Sequence, residues 1–187
     1  MYKEYSPCSV LAPFIYHFWE YKGETRSGMK FNIPPHGCSD LVFIVGNAAD
    51  CIRNSLIMKP YHSYFFGPMN TFTELVAHTN FIHIIGVRFR PCGLFQFIEI
   101  PLNELANQGI DSQEFPVLFS QSFIYQLCES NQNPIDIIEH ELVRQVYKNN
   151  MDTEKQISYA VSLISRQKGI VSIKELAAEA CLCLRQF

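Results

Sequence analysis

Three side chains with metal-binding chemistry stand two residues apart in the run Pro34-Pro-His36-Gly-Cys38-Ser-Asp40-Leu41. On a strand, alternate positions share a face. Gly37 and the two prolines make this segment a turn instead, and no fourth ligand is evident. The expected roles are therefore structural: Cys38 packs inward, Asp40 accepts backbone N–H bonds in the turn, and Gly37 permits the tight geometry. His78 and His83 lie too far apart along strands to form a His-x-His pair. Neither a metal nor a cofactor is expected.

Nucleophilic chemistry has no better footing. The chain has no Gly-x-Ser-x-Gly elbow, no glycine-rich phosphate loop, and no cysteine with a convincing histidine and acidic partner, so an enzyme is not expected. What remains is binding. In the first aromatic run, Phe14, Tyr16 and Phe18 fall on one face of a strand and Ile15, His17 and Trp19 on the other. Most of these are core residues, yet a barrel mouth lined with aromatics and one or two polar groups also suits a small ligand. The expected pocket set is Tyr16, Phe18, Trp19, His36, Phe43 and Arg88. Arg88, set in an apolar strand, is either an exposed or ion-paired arginine, the favoured reading, or the anchor of an anion.

The elements that must position these residues change character along the chain. Residues 13–23, 39–46, 72–78 and 83–90 read as strands, punctuated by Pro34-Pro35, Gly67-Pro68 and the Pro91-Cys-Gly93 turn. Strands this close together, with no helical pattern between them, predict an antiparallel barrel or sandwich. Beyond residue 93 the period lengthens. Pro101 can open a short helix carrying Leu102, Leu105 and Ala106, and residues 115–128 carry Phe115, Leu118, Phe119, Phe123 and Leu127 at helical spacing. Asn133 and Pro134 then suit the N-cap and first position of a helix striped by Ile135, Ile138, Leu142 and Val146, which ends at Asn149-Asn150.

The tail is helical as well. Asp152 can cap a helix carrying Ile157, Ala160, Val161 and Ile164, with Gly169 at a left-handed C-cap. Ser172 and Glu175 have the spacing of a capping box, and Val171 and Leu176 that of a hydrophobic staple, so a helix starts at 173. Cys181-Leu-Cys183 reads as a turn and Leu184 to Phe187 as the opening of another helix. A short helix, a tight turn and a second helix with a polar start is the layout of a helix-turn-helix.

Composition sets the outer limits. The chain has 187 residues, 48% of them apolar, with 15 basic against 18 acidic side chains. That is an ordinary globular composition, long enough for one full-size core. The net charge of −3 disfavours a whole-surface nucleic-acid binder. The charge is unevenly spread, with 10 basic and 14 acidic residues in 1–150 against 5 and 4 in 151–187. Seven cysteines at irregular spacing argue for reduced thiols. With no apolar run of membrane length and no secretion signal at the start, a cytoplasmic protein is expected.

The string Val171-Ser-Ile-Lys-Glu-Leu-Ala-Ala-Glu-Ala-Cys-Leu-Cys-Leu-Arg-Gln-Phe187 resembles the first helix-turn-helix of the AraC-type bacterial transcription regulators. The body resembles a subgroup with a sensor-like N-terminal domain, through the aromatic strand Phe14–Trp19, the turn Pro35-His-Gly-Cys-Ser-Asp-Leu41 and the strand end Gly86-Val-Arg-Phe-Arg-Pro91. The resemblance implies an α+β protein: an N-terminal antiparallel β-barrel, cupin-like and sensor-like, at 1–95; a helical linker or dimerisation region packed on it at 96–150; and the start of a helix-turn-helix DNA-binding domain at 151–187. It implies a possible homodimer, a small-molecule effector and operator DNA as partners. Ser172 and Lys174 match the start of the first helix, which can face phosphate. Arg185 and Gln186 match the start of the recognition helix, where they can read guanine and adenine. Cys183 stands where the family usually has Ser, a better N-cap by about 1 kcal/mol. The family's DNA-binding region has two helix-turn-helix units, so the sequence is expected to stop inside the first, leaving DNA binding weak or absent. The competing readings are a metal-dependent cupin-like enzyme and a stand-alone ligand-binding or interaction module.

Overall fold

The run Asp40–Ile44 is buried at every position, which a strand tolerates only when both faces of its sheet are covered. The structure, a computed structural model, shows how. It describes residues 1–46, 49–51, 56–98, 104–114, 118–148 and 155–185, except for the side chains at 49–51 and 155–158. The chain divides into two compact units, Met1–Asn149 and Asn150–Phe187.

The first unit is α+β. Its strands among the described residues are β1 (Tyr2–Tyr5), β2 (Ile15–Glu24), β3 (Lys30–Ile33), β4 (Asp40–Ile44), β5 (Ala49–Cys51), β6 (Leu56–Ile57), β7 (Ser63–Phe66), β8 (Thr73–Ala77), β9 (Phe81–Phe89) and β10 (Gly109–Asp111). They form a six-stranded antiparallel sheet in the order β1-β2-β9-β4-β7-β10 and a four-stranded one in the order β3-β8-β5-β6. Thr25 ties the corner between the sheets, its N–H donating to the Asn80 carbonyl at 2.9 Å and its hydroxyl to the Thr79 carbonyl at 2.6 Å.

The alternation along each strand sorts residues onto the two faces of the large sheet. Val42, Ile44, Tyr64, Phe66, Ile82 and Ile84 pack toward the small sheet, with Phe31, Leu75 and Ala77 opposite them. Leu41, Phe43, Phe65, Ile85, Val87 and Phe89 face the other way. There they meet Ile124 and Leu127 of α1 (Gln121–Glu129) and Ile135, Ile138 and Leu142 of α2 (Pro134–Lys148). Phe43 is fully buried, its ring edge-on to Phe119 at 5.2 Å. Burying one such side chain contributes about 1.5–3 kcal/mol, so each of these residues is a substantial support of the unit.

Helix termini follow the side chains that can satisfy them. Asn133 Oδ1 accepts the Ile135 N–H at 3.1 Å, as an N-cap should. The helix expected over 115–128 begins only at Gln121, because Ser120 caps it by accepting the Phe123 N–H at 3.2 Å. Leu118 and Phe119 are buried ahead of it, and Phe115 lies outside the described residues. The expected helix at Pro101 is corrected at Leu105 and Ala106, which lie in turns; Pro101 and Leu102 fall outside the described residues. The reason is a competing backbone partner. Asn107, at a left-handed φ of 58°, donates to the Pro68 carbonyl, and Gly67 donates to the Gln108 carbonyl. The approach is so close that a Cβ on Gly67 would fall 1.9 Å from the Leu105 carbonyl oxygen. The segment thus returns to the sheet as β10.

The second unit contains α3 (Lys155–Arg166) and α4 (Ile173–Glu179), with Ala160, Leu163, Leu176, Ala177 and Ala180 buried. Two left-handed residues close α3, Lys168 at φ 53° and, as expected, Gly169 at φ 80°. Gly169 N–H donates to the Ile164 carbonyl and Lys168 N–H to the Ser165 carbonyl, the paired bonds of a Schellman ending. α4 ends the same way, with Cys181 at φ 56°, Leu182 N–H on Ala177 and Cys181 N–H on Ala178. The capping box is not made: Ser172 has the extended backbone of an N-cap, but its side chain forms no capping bond. Leu184 and Arg185 lie in a turn and not in a helix. Asn149, Asn150, Asp152, Gln186, Phe187 and the Ile157 side chain are outside the described residues.

Candidate ligand-binding cavity

The two sheets do not close on one another completely. Between them lies a cavity of about 320 Å³. Its walls are mostly apolar: Trp19, Tyr21, Val42, Ile82 and Ile84 from the large sheet, Phe31, Ile33 and Leu75 from the small one, and Met58 and Met69 from loops. Tyr2 stacks on Trp19 with ring centroids 6.3 Å apart. The Tyr2 hydroxyl, pushed up to about 12 by burial and by its bond to Glu4, stays protonated and donates to that carboxylate at 2.9 Å.

Trp19 owes its position to a missing side chain. It stands opposite Gly86 on β9, and a Cβ there would fall 1.9 Å from indole Cε2 and 2.3 Å from Nε1. The indole therefore lies over bare backbone. Its Nε1–H is buried with no hydrogen-bond partner in the protein.

The polar end of the cavity is built from one cross-strand row. Arg88 pairs in register with His17 on one side and Asp40 on the other. Asp40 Oδ1 accepts from Arg88 Nε at 3.0 Å and Oδ2 from Nη2 at 2.9 Å, a bidentate pair with the carboxylate 5% and the guanidinium 22% exposed. Burial alone would lower the Arg88 pKa, but the hydrogen bond and charge of Asp40 reverse that and raise it. His36 reaches in from the turn, where Gly37 adopts φ 65° and donates to the Met69 carbonyl. His36 Nδ1 accepts the Cys38 N–H at 3.2 Å, which assigns the ring proton to Nε2. That atom lies 3.4 Å from Asp40 Oδ2, with no hydrogen bond of its own. Burial pushes the His36 pKa down, against the pull of Asp40, so the ring is neutral at pH 7. His17 behaves likewise, burial outweighing Glu4.

Of the expected pocket residues, the structure brings Trp19, His36 and Arg88 together at the cavity. Three others are corrected. Phe18 and Phe43 are fully buried on the opposite face, against the helices, and Tyr16 is 37% exposed beneath the Arg90 guanidinium at 4.4 Å. Phe18 alternates with the cavity residue Trp19 and so faces the helices, while a register shift between Ile15 and His17 separates Tyr16 from Phe18 and puts Ile15 in the same core layer as Phe18. Arg88 is ion-paired and so does not stand free for an anion. The bond expected from Asp40 within the turn comes from His36 instead. Tyr2 and Phe31 escaped the sequence reading because strands this short leave little periodicity. Among the described residues, no group of three or more His, Cys, Asp or Glu is placed to hold a metal ion. No described helix is long and apolar enough to cross a membrane. In the second unit, Ser172, Lys174 and Arg185 are exposed, and Gln186 is outside the described residues.

The first unit is thus an α+β body whose strands enclose an apolar cavity with one buried ion pair at its end. The chain belongs to the family described as Domain of unknown function (DUF6597), whose model matches residues 3–111, the span from β1 to β10. No curated protein matches it. Among solved structures it is similar to ToxT of Vibrio cholerae strain SCE256 with bound unsaturated fatty acid, at 10% identity and a TM-score of 0.35, covering 91% of this chain and 88% of that one. A 1.65 Å ToxT structure matches at 9% identity and 0.34, covering 89% and 90%. ToxT of strain O395 bound to (E)-4-(8-methylnaphthalen-1-yl)but-3-enoic acid matches at 12% and 0.32, covering 91% and 92%. At scores this low, no property passes from those proteins to this one.

Proposed function

We propose that the chain is the sensor and dimerisation part of an AraC-type, sequence-specific DNA-binding regulator, acting in the cytoplasm on operator DNA. In this reading the strands of 1–95 hold a small-molecule effector, 96–150, which also lends β10 to the large sheet, is the linker or dimerisation region with its helices α1 and α2, and 151–187 begins the helix-turn-helix. The observation that carries it is the apolar cavity with its buried Asp40–Arg88 pair, within a body whose motifs resemble that subgroup. The exposed Ser172 and Lys174 at the start of a helix that ends in a tight turn at Cys181, with Arg185 exposed in the turn beyond it, support the DNA-facing half of the reading. Effector occupancy biases how two DNA-binding regions are presented to operator half-sites.

The test is a gel-shift series comparing 1–187 with a product extended past Phe187. Specific binding by the extended form, with weak or absent binding by 1–187, is expected. Tight specific binding by the short form, or none by the long one, contradicts it.

A further inference from the structure

Of the buried polar atoms that the protein's own hydrogen bonds leave over, the two on cavity-lining residues are both donors. Trp19 Nε1–H and His36 Nε2–H are both buried without a hydrogen-bond partner in the protein. Both oxygens of Asp40 are engaged by Arg88, whose guanidinium keeps N–H groups beyond the two that hold the carboxylate. Native structures rarely leave buried donors unpaired, and two such donors around one cavity call for an acceptor from outside.

The charges at the same end decide what kind of acceptor. Arg88 and Asp40 cancel one another, and His36 is neutral at pH 7 because burial lowers its pKa. An anionic head would approach the Asp40 carboxylate with no uncompensated cation to meet it. A cationic head would reach the Asp40 carboxylate only in competition with Arg88, which already holds both oxygens and would repel it. Either charge would be buried unpaired among Trp19, Val42, Phe66 and Ile84, an arrangement with a large desolvation cost. The volume of about 320 Å³ lies at the small end of ligand cavities.

We propose that the cavity takes an uncharged small molecule with an apolar body and one hydrogen-bond-accepting head, such as a ketone, ester or lactone carbonyl, held by Trp19 Nε1–H and His36 Nε2–H. The inference rests on reading the cavity as the sensor site and adds the chemical class of its ligand. The ring of Trp19 supplies both the apolar floor and one donor, which makes Gly86 a specificity determinant: its lack of a Cβ is what lets the indole lie there.

Trp19 is the only tryptophan in the chain, so intrinsic fluorescence reports on the cavity directly. The experiment titrates the protein at neutral pH with octan-2-one, octanoate and octylammonium, three probes with one alkyl body and different heads. Octan-2-one is expected to bind and shift the emission, with the two charged probes at least about tenfold weaker. By calorimetry, Trp19→Phe and His36→Ala are each expected to weaken octan-2-one about threefold to tenfold, the range for one hydrogen bond to a neutral acceptor. Tyr147→Phe, on the exposed side of α2 and outside the cavity, is expected to leave octan-2-one affinity unchanged. The ranking is measured on the unaltered chain and does not depend on how any variant folds. Octanoate or octylammonium binding as tightly as the ketone, no ketone binding at all, or ketone affinity unchanged in both donor variants overturns the proposal. Each of those outcomes leaves the regulator reading to be judged by its own DNA assay.

Discussion

The two faces of the large sheet draw on similar apolar residues and put them to different uses. Ile85 and Ile84 are consecutive on β9; the first is fully buried in the layer under α1 and α2, and the second lines the cavity. Phe43 and Val42 divide in the same way on β4, and Phe18 and Trp19 on β2. The helix-side face is filled and carries stability. The other face gives up part of its packing to keep a space, and sets an ion pair and two unpaired donors at its edge.

The sharpest way to break the comparison is to make one chemical change on each side. Ile85→Ala is expected to cost about 2–5 kcal/mol, because it removes apolar contact and leaves a new void in a closed layer. Ile84→Ala is expected to cost about 1–2 kcal/mol, mainly the transfer of the lost methylenes, since it opens into space already present. Urea denaturation of the two variants measures the difference, and equal losses would show that the cavity face is packed as tightly as the other. Next in size is the ion pair. Asp40→Asn leaves the mostly buried Arg88 charge unmatched and is expected to cost about 3 kcal/mol. The double variant Asp40→Leu/Arg88→Met is expected to recover at least half of that, a coupling that a double-mutant cycle reads directly.

Much of the helix-side face was legible in the sequence, for a physical reason. Ile135, Ile138, Leu142 and Val146 repeat at helical spacing, and Leu41 and Phe43 belong to an unbroken apolar run, so local periodicity reports their burial. The α+β division and the polar turn at His36-Gly-Cys38 were legible as well. The cavity was only half legible, because it depends on what strands far apart in sequence place opposite one another. Arg88 and Asp40 meet across a ladder of 48 residues' separation, and nothing local to either announces the other. A bulge between Ile15 and His17 breaks the alternation that would join Tyr16 to Phe18, and Phe18 leaves the cavity face because it alternates with Trp19. At Ser172 the spacing of a capping box was present but the side-chain bond was not, since an exposed helix end can satisfy its N–H groups with water.

Gly86 tests whether the cavity face is shaped by its floor. Gly86→Ala forces the indole off the strand, with an expected cost of about 1–3 kcal/mol and a changed Trp19 emission. The same substitution combined with Trp19→Phe is expected to be milder, because the atoms in conflict include the pyrrole part of the indole. A Gly86→Ala chain with unaltered emission and stability would show that the glycine does not set the ring's position.

The smallest expected effect is on pH dependence, and it belongs to the cavity side alone. Burial lowers the pKa of both His36 and His17 in the folded chain, with Asp40, Arg88, Glu4 and Tyr2 as their charged or titratable neighbours. A histidine whose pKa is lower folded than unfolded binds more protons when unfolded. Its contribution is therefore complete above the unfolded value of about 6.5 and is lost as pH falls from there through the folded value. Glu141, held low by its bond to Arg144, acts only at more acid pH, as does Glu20, in which bonds from His83 and Tyr5 outweigh burial. Melting temperature is thus expected to decline between about pH 7 and about pH 5.5, and the decline is expected to shrink in His36→Gln and further in His17→Gln/His36→Gln. Scanning calorimetry across that range separates the two faces: Ile85→Ala lowers the curve without changing its slope, whereas the histidine variants flatten it.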